Sequence, residues 1–141
     1  MKREIKFRAY SSHNHKIYSV SNIEWDIDGR IWVTADDGKN GIELIDEEAH
    51  LMQYTGLKDK NGREIYESDI LKVTGEDGES YVASVRWFSD EGYPAFDLGS
   101  IPETWFYGAN ALATIFQEGV ETCEVIGNIF EDKQLLEADH E

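Results

Sequence analysis

One cysteine, four histidines and 29 Asp and Glu are the side chains of this 141-residue sequence equipped to act as nucleophile, base or ligand. Cys123 stands between Thr122 and Glu124 with no cation beside it in sequence. A thiol attacks as its thiolate, and a neighbouring cation is what usually makes that form available, so Cys123 reads as a packed thiol. His13-Asn14-His15 spells the letters of an HNH nuclease. That site draws well-separated histidines from a ββα frame around a metal, and no distant partner follows here, so the triplet reads as part of a polar loop from Ser11 to Lys16. Asp26-Ile27-Asp28-Gly29 resembles the opening of a calcium loop but lacks the further oxygen ligands and the closing Glu, and reads as a turn. Asp46-Glu47-Glu48 suits the first turn of a short helix, where the dipole favours acids. His50 has no His or Cys near it and reads as an ordinary surface residue. A Gly-rich phosphate loop, a Gly-x-Ser-x-Gly elbow, Cys-x-x-Cys and His-Glu-x-x-His are all absent from the sequence. No catalytic, cofactor-binding or metal-ligating residue is therefore assigned, and the expected function is non-enzymatic.

The elements that would position any site are strands. Ile5, Phe7 and Ala9 alternate with Glu4, Lys6 and Arg8, the period of a strand with one buried face, and Ile17 to Val20 resumes the pattern. Asn22 to Thr34 predicts a hairpin turning at Asp28-Gly29 in a two-residue primed turn, which would set Trp25 opposite Trp32. Asp36 to Gly41 is a loop by composition, followed by a short strand or helical turn over Ile42 to Ile45. Farther on, Gly75 to Glu79 is a polar turn, and Tyr81, Ala83, Val85 and Trp87 share one face of a strand. Tyr93 to Leu98 reads as another strand with Pro94 at its start or on an edge. Ala109, Leu112, Ile115 and Phe116 predict a short helix over 109–117, ahead of a closing strand from Cys123 to Phe130 and a last helical turn from Asp132 to Glu137. Many short strands with little helix predict a mainly β fold, a β-rich α+β arrangement of bent sheets or barrels with an SH3-like C-terminal part. The division expected is an N-terminal β-rich lobe over 1–66 and an acidic, barrel-like lobe with a short helix over 67–141, either as two lobes or as one compact unit.

The stretch from Leu51 to Val73 carries the most specific information. Asp59-Lys60-Asn61-Gly62 has Asp where a turn wants a side-chain acceptor and Gly where the chain needs positive φ, so two strands meet there. A three-residue loop would set Leu57 opposite Ile65 and a two-residue one would set Leu57 opposite Tyr66; the first is favoured and both remain open. Gln53 to Gly62, Glu64-Ile65-Tyr66-Glu67 and Asp69-Ile70 resemble the signature of the YopX family, small proteins encoded by bacteriophages and prophages. Arg3 to Tyr10 is similar to that family's opening and Cys123 to Glu131 to its closing strand. One departure is Ser68, where the family usually has Gly; if the position needs positive φ, Ser is strained there. The resemblance implies no established activity and no catalytic residues.

Composition excludes several classes. With 40% hydrophobic and 12% aromatic residues the chain can bury a core, and no apolar run approaches the ~20 residues that span a bilayer. One cysteine and a basic start without an apolar segment suit a reducing compartment, so a cytosolic protein without a membrane partner is expected, and the family resemblance implies host bacterial cytoplasm. The net charge of -16 is uneven: Met1 to Lys72 carries 11 Lys+Arg against 14 Asp+Glu, Val73 to Glu141 only 2 against 15. Phosphate binding needs cations, so no nucleic acid is expected as a ligand. Four Trp, seven Tyr and six Phe in a small body with sheet edges predict a homo-oligomer. The expected role is that of a phage or prophage accessory protein that self-assembles or binds a basic host or phage protein. The alternative is an acidic mimic of DNA that inhibits a host DNA-binding protein.

Overall fold

Alternating burial marks strands such as Ile31–Asp36, and Ser11, Asp26, Asp59 and Asn128 each accept backbone N–H groups where a strand ends. The computed structural model describes residues 4–88, 95–99, 111–119 and 121–138. The chain divides into two compact units, Met1–Tyr54 and Thr55–Glu141, where the sequence reading set a division near Glu67. The charge imbalance survives the shift. The first unit holds 7 Lys+Arg against 10 Asp+Glu, the second 6 against 19.

The first unit is an antiparallel meander of β1 (Phe7–Ser11), β2 (Lys16–Trp25), β3 (Ile31–Asp36) and β4 (Gly41–Ile45), joined by β5 (Ala49–Lys58), which pairs with β1. The strands of this unit are ordered β4-β3-β2-β1-β5 within a six-stranded sheet, β5 running on past Tyr54. Cross-strand pairs line one face: Ala9 lies opposite both Tyr18 and Leu51, Ala35 opposite Val20 and Ile42, and Val33 opposite Leu44. These residues form the unit's core, with Ala9, Val33, Ala35 and Leu44 almost wholly buried. Asp46–Glu48 is a short 3-10 turn, as its three acids suggested, and two of them accept backbone N–H groups. Asp46 Oδ1 accepts the Ile31 N–H at 3.0 Å, and Glu48 Oε1 accepts the Ile45 N–H at 3.0 Å.

In the second unit β6 (Glu64–Tyr66) follows the Asp59 turn. The strands β7 (Asp69–Thr74), β8 (Ser80–Trp87), β9 (Phe96–Gly99) and β10 (Thr122–Asn128) form an antiparallel sheet ordered β10-β7-β8-β9. Two short helices complete it, α1 (Ala111–Glu118) and α2 (Gln134–Ala138). Residues 109 and 110 of the expected helix, and Tyr93 and Pro94 of the expected strand, lie outside the described residues. The mainly β expectation holds, but the closed, SH3-like barrel does not form among the described residues: β10 and β9 are edges of an open sheet. Helix α1 supplies the reason. Its Leu112 and Ile115 join Leu71, Val73, Tyr81, Ala83, Val85 and Val125 in one core, so a helix buries the apolar face and the sheet has no need to curl on itself.

Ser68 sits in the two-residue connection between β6 and β7 at φ 76, the left-handed region that the departure from Gly put in question. Its backbone is held on both sides, the N–H donating to Val85 O at 2.8 Å and the carbonyl accepting from Ile129 N–H at 3.0 Å.

Candidate functional site

The turn between β2 and β3 is built by one carboxylate. Asp26 Oδ1 accepts the N–H groups of Asp28 and Arg30, each at 2.9 Å, while Asp26 N–H closes the loop on Arg30 O at 3.0 Å. This makes a three-residue loop with Gly29 at φ 84, not the two-residue turn expected at Asp28-Gly29. The register moves by one residue in consequence. Trp25 lies opposite Ile31 and Glu24 opposite Trp32, so the Trp25–Trp32 cross-strand pair is corrected. The side chain of Asp26 outcompetes the primed turn because it satisfies two N–H groups that a two-residue loop would leave to water.

That register creates a surface. Asn22 and Glu24 of β2, Trp32 and Thr34 of β3 and Glu43 of β4 fall on one face, since Asn22 pairs with Thr34, Glu24 with Trp32 and Thr34 with Glu43. With Trp25 and Asp26 they line a shallow cleft of about 290 Å3. The Trp32 indole N–H donates to Asp26 Oδ2 at 3.2 Å, and Arg30 Nε donates to the same oxygen at 3.0 Å. The indole N–H is the largest cause that holds the Asp26 carboxyl down at about 2, aided by the backbone and side chain of Arg30, with burial opposing. Beside the cleft Trp25 is 67% exposed, and Ile27 at the loop's tip is fully so. Sequence reasoning missed this surface. The Asp-x-Asp-Gly-Arg spelling of 26–30, read as the Asp-x-Asn-Gly-Arg of 59–63 was, would have set the register that builds it.

The residues singled out for chemistry fall elsewhere. His13, Asn14 and His15 form the β1–β2 turn: the buried Ser11 Oγ accepts the N–H groups of His13 and Asn14 at 3.2 and 3.3 Å, and Tyr10 OH meets His15 Nδ1 at 3.0 Å. Asp26 and Asp28 lie in the loop between β2 and β3, where the Asp26 oxygens accept from the backbone of Asp28 and Arg30 and from the Arg30 and Trp32 side chains, as a turn residue does. His50 lies exposed, 6.0 Å from the Tyr10 ring. Cys123 is buried in β10, and burial first, then the Asp59 carboxylate, pushes its thiol up to about 11. A second cleft of about 250 Å3 passes Cys123 between Lys58, Lys60, Phe116 and Thr122. A thiol raised so far is protonated at neutral pH, the form that does not attack. Among the described residues no group of three or more His, Cys, Asp and Glu is placed to hold a metal ion.

Asp59 is the structural counterpart of Asp26. Its Oδ1 accepts Asn61 and Arg63 N–H at 2.9 Å, and its Oδ2 accepts Val125 N–H at 2.8 Å, with the residue 6% exposed. Burial would raise its pKa, but the Val125, Arg63 and Asn61 N–H groups and the charge of Arg63 outweigh that, and the carboxyl stays below its ordinary 3.8. The Asp59 N–H donates to Arg63 O at 2.8 Å, closing the three-residue loop that the sequence favoured.

The family model described as YopX protein matches residues 6–137. Among solved structures, the chain is similar to protein EF1440 from Enterococcus faecalis, at 22% identity and a TM-score of 0.61, over 96% of this chain and 99% of that one. It is also similar to protein yopX from Bacillus subtilis, at 20% identity and a TM-score of 0.58, over 93% and 97%. At such identities the likeness to the two structures is one of fold. No curated protein sequence matches the chain.

Proposed function

The chain belongs to the YopX protein family, and from that premise we propose that it is a non-enzymatic accessory protein of a phage or prophage, acting in the bacterial cytoplasm by binding another protein or a second copy of itself. The observation that carries this reading is the tip of the β2–β3 hairpin, where Trp25 and Ile27 stand exposed beside the cleft of Glu24, Asp26 and Glu43. Large apolar groups held out in water on a fixed turn lose nothing by being covered, and aromatic residues are among those that contact surfaces favour. The best-placed carboxylates are also committed to structure, Asp26 and Asp59 to backbone donors. Among the described residues no helix is long and apolar enough to cross a membrane.

The test pairs self-association with capture. Light scattering at tens of micromolar should give a mass above the monomer's 16.1 kDa, or the immobilised protein should retain a host or phage protein that the Trp25→Ser/Ile27→Ser variant does not. A monomer that retains nothing more than its variant does would end the reading. A second reading, mimicry of DNA, draws on the 6 Lys+Arg against 19 Asp+Glu of Thr55–Glu141. Several of those acids accept backbone N–H groups, Asp59, Asp69 and Asp77 among them, so part of the charge is committed to turns. A captured partner that DNA displaces would favour mimicry.

A further inference from the structure

We infer that the cleft on β2, β3 and β4 receives a cationic side chain, arginine by preference, from an extended basic segment of a protein partner. This rests on the protein-binding reading and names what the surface recognises. Three observations combine. The first is a wall prepared in advance: the Trp32 indole is pinned by its bond to Asp26 Oδ2, and Trp25 stands 67% exposed at the border of the same cleft. A cation placed on an indole face is attracted by the ring's quadrupole, and a ring already held in place loses little freedom when it is used.

The second is charge left over. Glu24, Asp26 and Glu43 line the cleft, and the cation of the loop between β2 and β3, Arg30, is taken by Asp26 at 3.0 Å. Glu24 Oε1 accepts only the neutral Asn22 amide, at 2.8 Å. Among the described residues neither Glu24 nor Glu43 has an ion-pair partner. Their register positions, opposite Trp32 and Thr34 respectively, place one carboxylate on each side of β3. A planar guanidinium can stack on an aromatic ring while its N–H fork reaches carboxylates, which an ammonium cannot do equally well.

The third is size and position. About 290 Å3 lies at the small end of ligand pockets, room for one long side chain and not for a dinucleotide. The cleft also reaches β4, the outermost strand of the sheet order, so a segment approaching from that side meets no further strand among the described residues. An extended chain is thus the form of partner that fits.

The experiment uses the full-length protein and three short peptides that are identical but for a central Arg, Lys or citrulline. Binding is followed by Trp fluorescence and, residue by residue, by amide chemical shifts. The Arg peptide should shift residues 22–26, 32–34 and 43 saturably, with affinity that falls as salt is raised, and should bind more tightly than the Lys peptide. Citrulline keeps the shape without the charge and should bind about tenfold more weakly. Glu24→Gln and Glu43→Gln should each weaken the Arg peptide about threefold or more while leaving the melting curve unchanged. Citrulline binding as well as arginine, or a Glu24→Gln/Glu43→Gln double variant binding as the parent does, would overturn the inference. Retention of a cellular partner by that double variant would overturn it too while leaving the broader protein-binding reading in place. Loss of retention together with loss of peptide binding supports both.

Discussion

Two loops in this protein are written in almost the same letters, Asp26-Ile27-Asp28-Gly29-Arg30 and Asp59-Lys60-Asn61-Gly62-Arg63, and they are folded the same way. In each, the Asp side chain accepts the second and fourth N–H groups after it, the Asp N–H closes on the Arg carbonyl, and the Gly N–H returns to the Asp carbonyl at 3.0 Å. They differ in where the second carboxylate oxygen goes. Asp26 turns it to Arg30 and Trp32 within its own hairpin, and Asp59 turns it to Val125, 66 residues away. Around Asp59 three more bonds cross the same gap, Lys60 N–H to Cys123 O at 3.0 Å, Arg63 Nη1 to Val125 O at 2.9 Å and Asn61 Nδ2 to Glu124 Oε2 at 3.3 Å. One loop presents side chains to solvent and the other fastens the second unit together. Turn chemistry therefore decides the shape of a loop, and its surroundings decide the use.

The comparison breaks most sharply at the two aspartates. Asp59→Ala leaves the Val125 N–H without its partner in a buried place and should cost about 3 kcal/mol or more in chemical denaturation. Asp26→Ala, at the surface, should lower the denaturation midpoint far less. Equal losses would show the two loops to be energetically alike.

Acid sharpens the same contrast. Because the folded Asp59 carboxyl lies below its ordinary 3.8, its contribution is present in full above about pH 4 and is lost as pH falls through the folded value. The gap in stability between the parent and Asp59→Asn should thus be widest near neutral pH and close as acid is added. Asp26, held at about 2, titrates in the same direction but is screened at the surface, so Asp26→Asn should leave the acid profile nearly unchanged.

At the glycines the loops should instead agree. Gly29 and Gly62 lie at φ 84 and 81, and an added Cβ would meet nothing within 4 Å at either. Gly29→Val and Gly62→Val should each cost about 1 to 3 kcal/mol from backbone strain alone. A melting curve unchanged by Gly62→Val would show that the turn assignment is wrong. The smallest effect is a gain: Ser68→Gly, which relieves the strain at φ 76, should raise stability by about 1 kcal/mol or less, since the added freedom of the unfolded chain offsets part of the relief.

What could be read in the sequence follows the range of the forces involved. The Asp59 turn was legible because its residues act within five positions of each other. So were the alternating strands around Ala9 and Val85, whose burial pattern is written along each strand. The same reasoning failed at Asp26 because the Asp28-Gly29 pair was weighed without the carboxylate two residues earlier, and the Trp pairing went wrong with it. The barrel was misjudged because strand letters do not say that Leu112 and Ile115 will cover the sheet. The cleft was invisible for a related reason. Glu24, Trp32 and Glu43 become neighbours only through the register of three strands, and one residue of slip in a hairpin sends each to the other face.

The fastening of Asp59 to Val125 also sets an order of events on the ribosome. Strands β1 to β4 and the stretch of β5 that pairs with β1 find one another among residues 1–54, so this pairing is available while synthesis continues. The second unit cannot complete its sheet so early. Its β7 borders β10, and the Asp59 carboxylate waits for a backbone donor that is made 66 residues later. Closing so long a loop has an entropic cost that local contacts do not repay, which slows folding. The β2–β3 hairpin, with its exposed Trp25 and Ile27, is therefore made and can pair well before the closing strand β10 of the second unit leaves the ribosome.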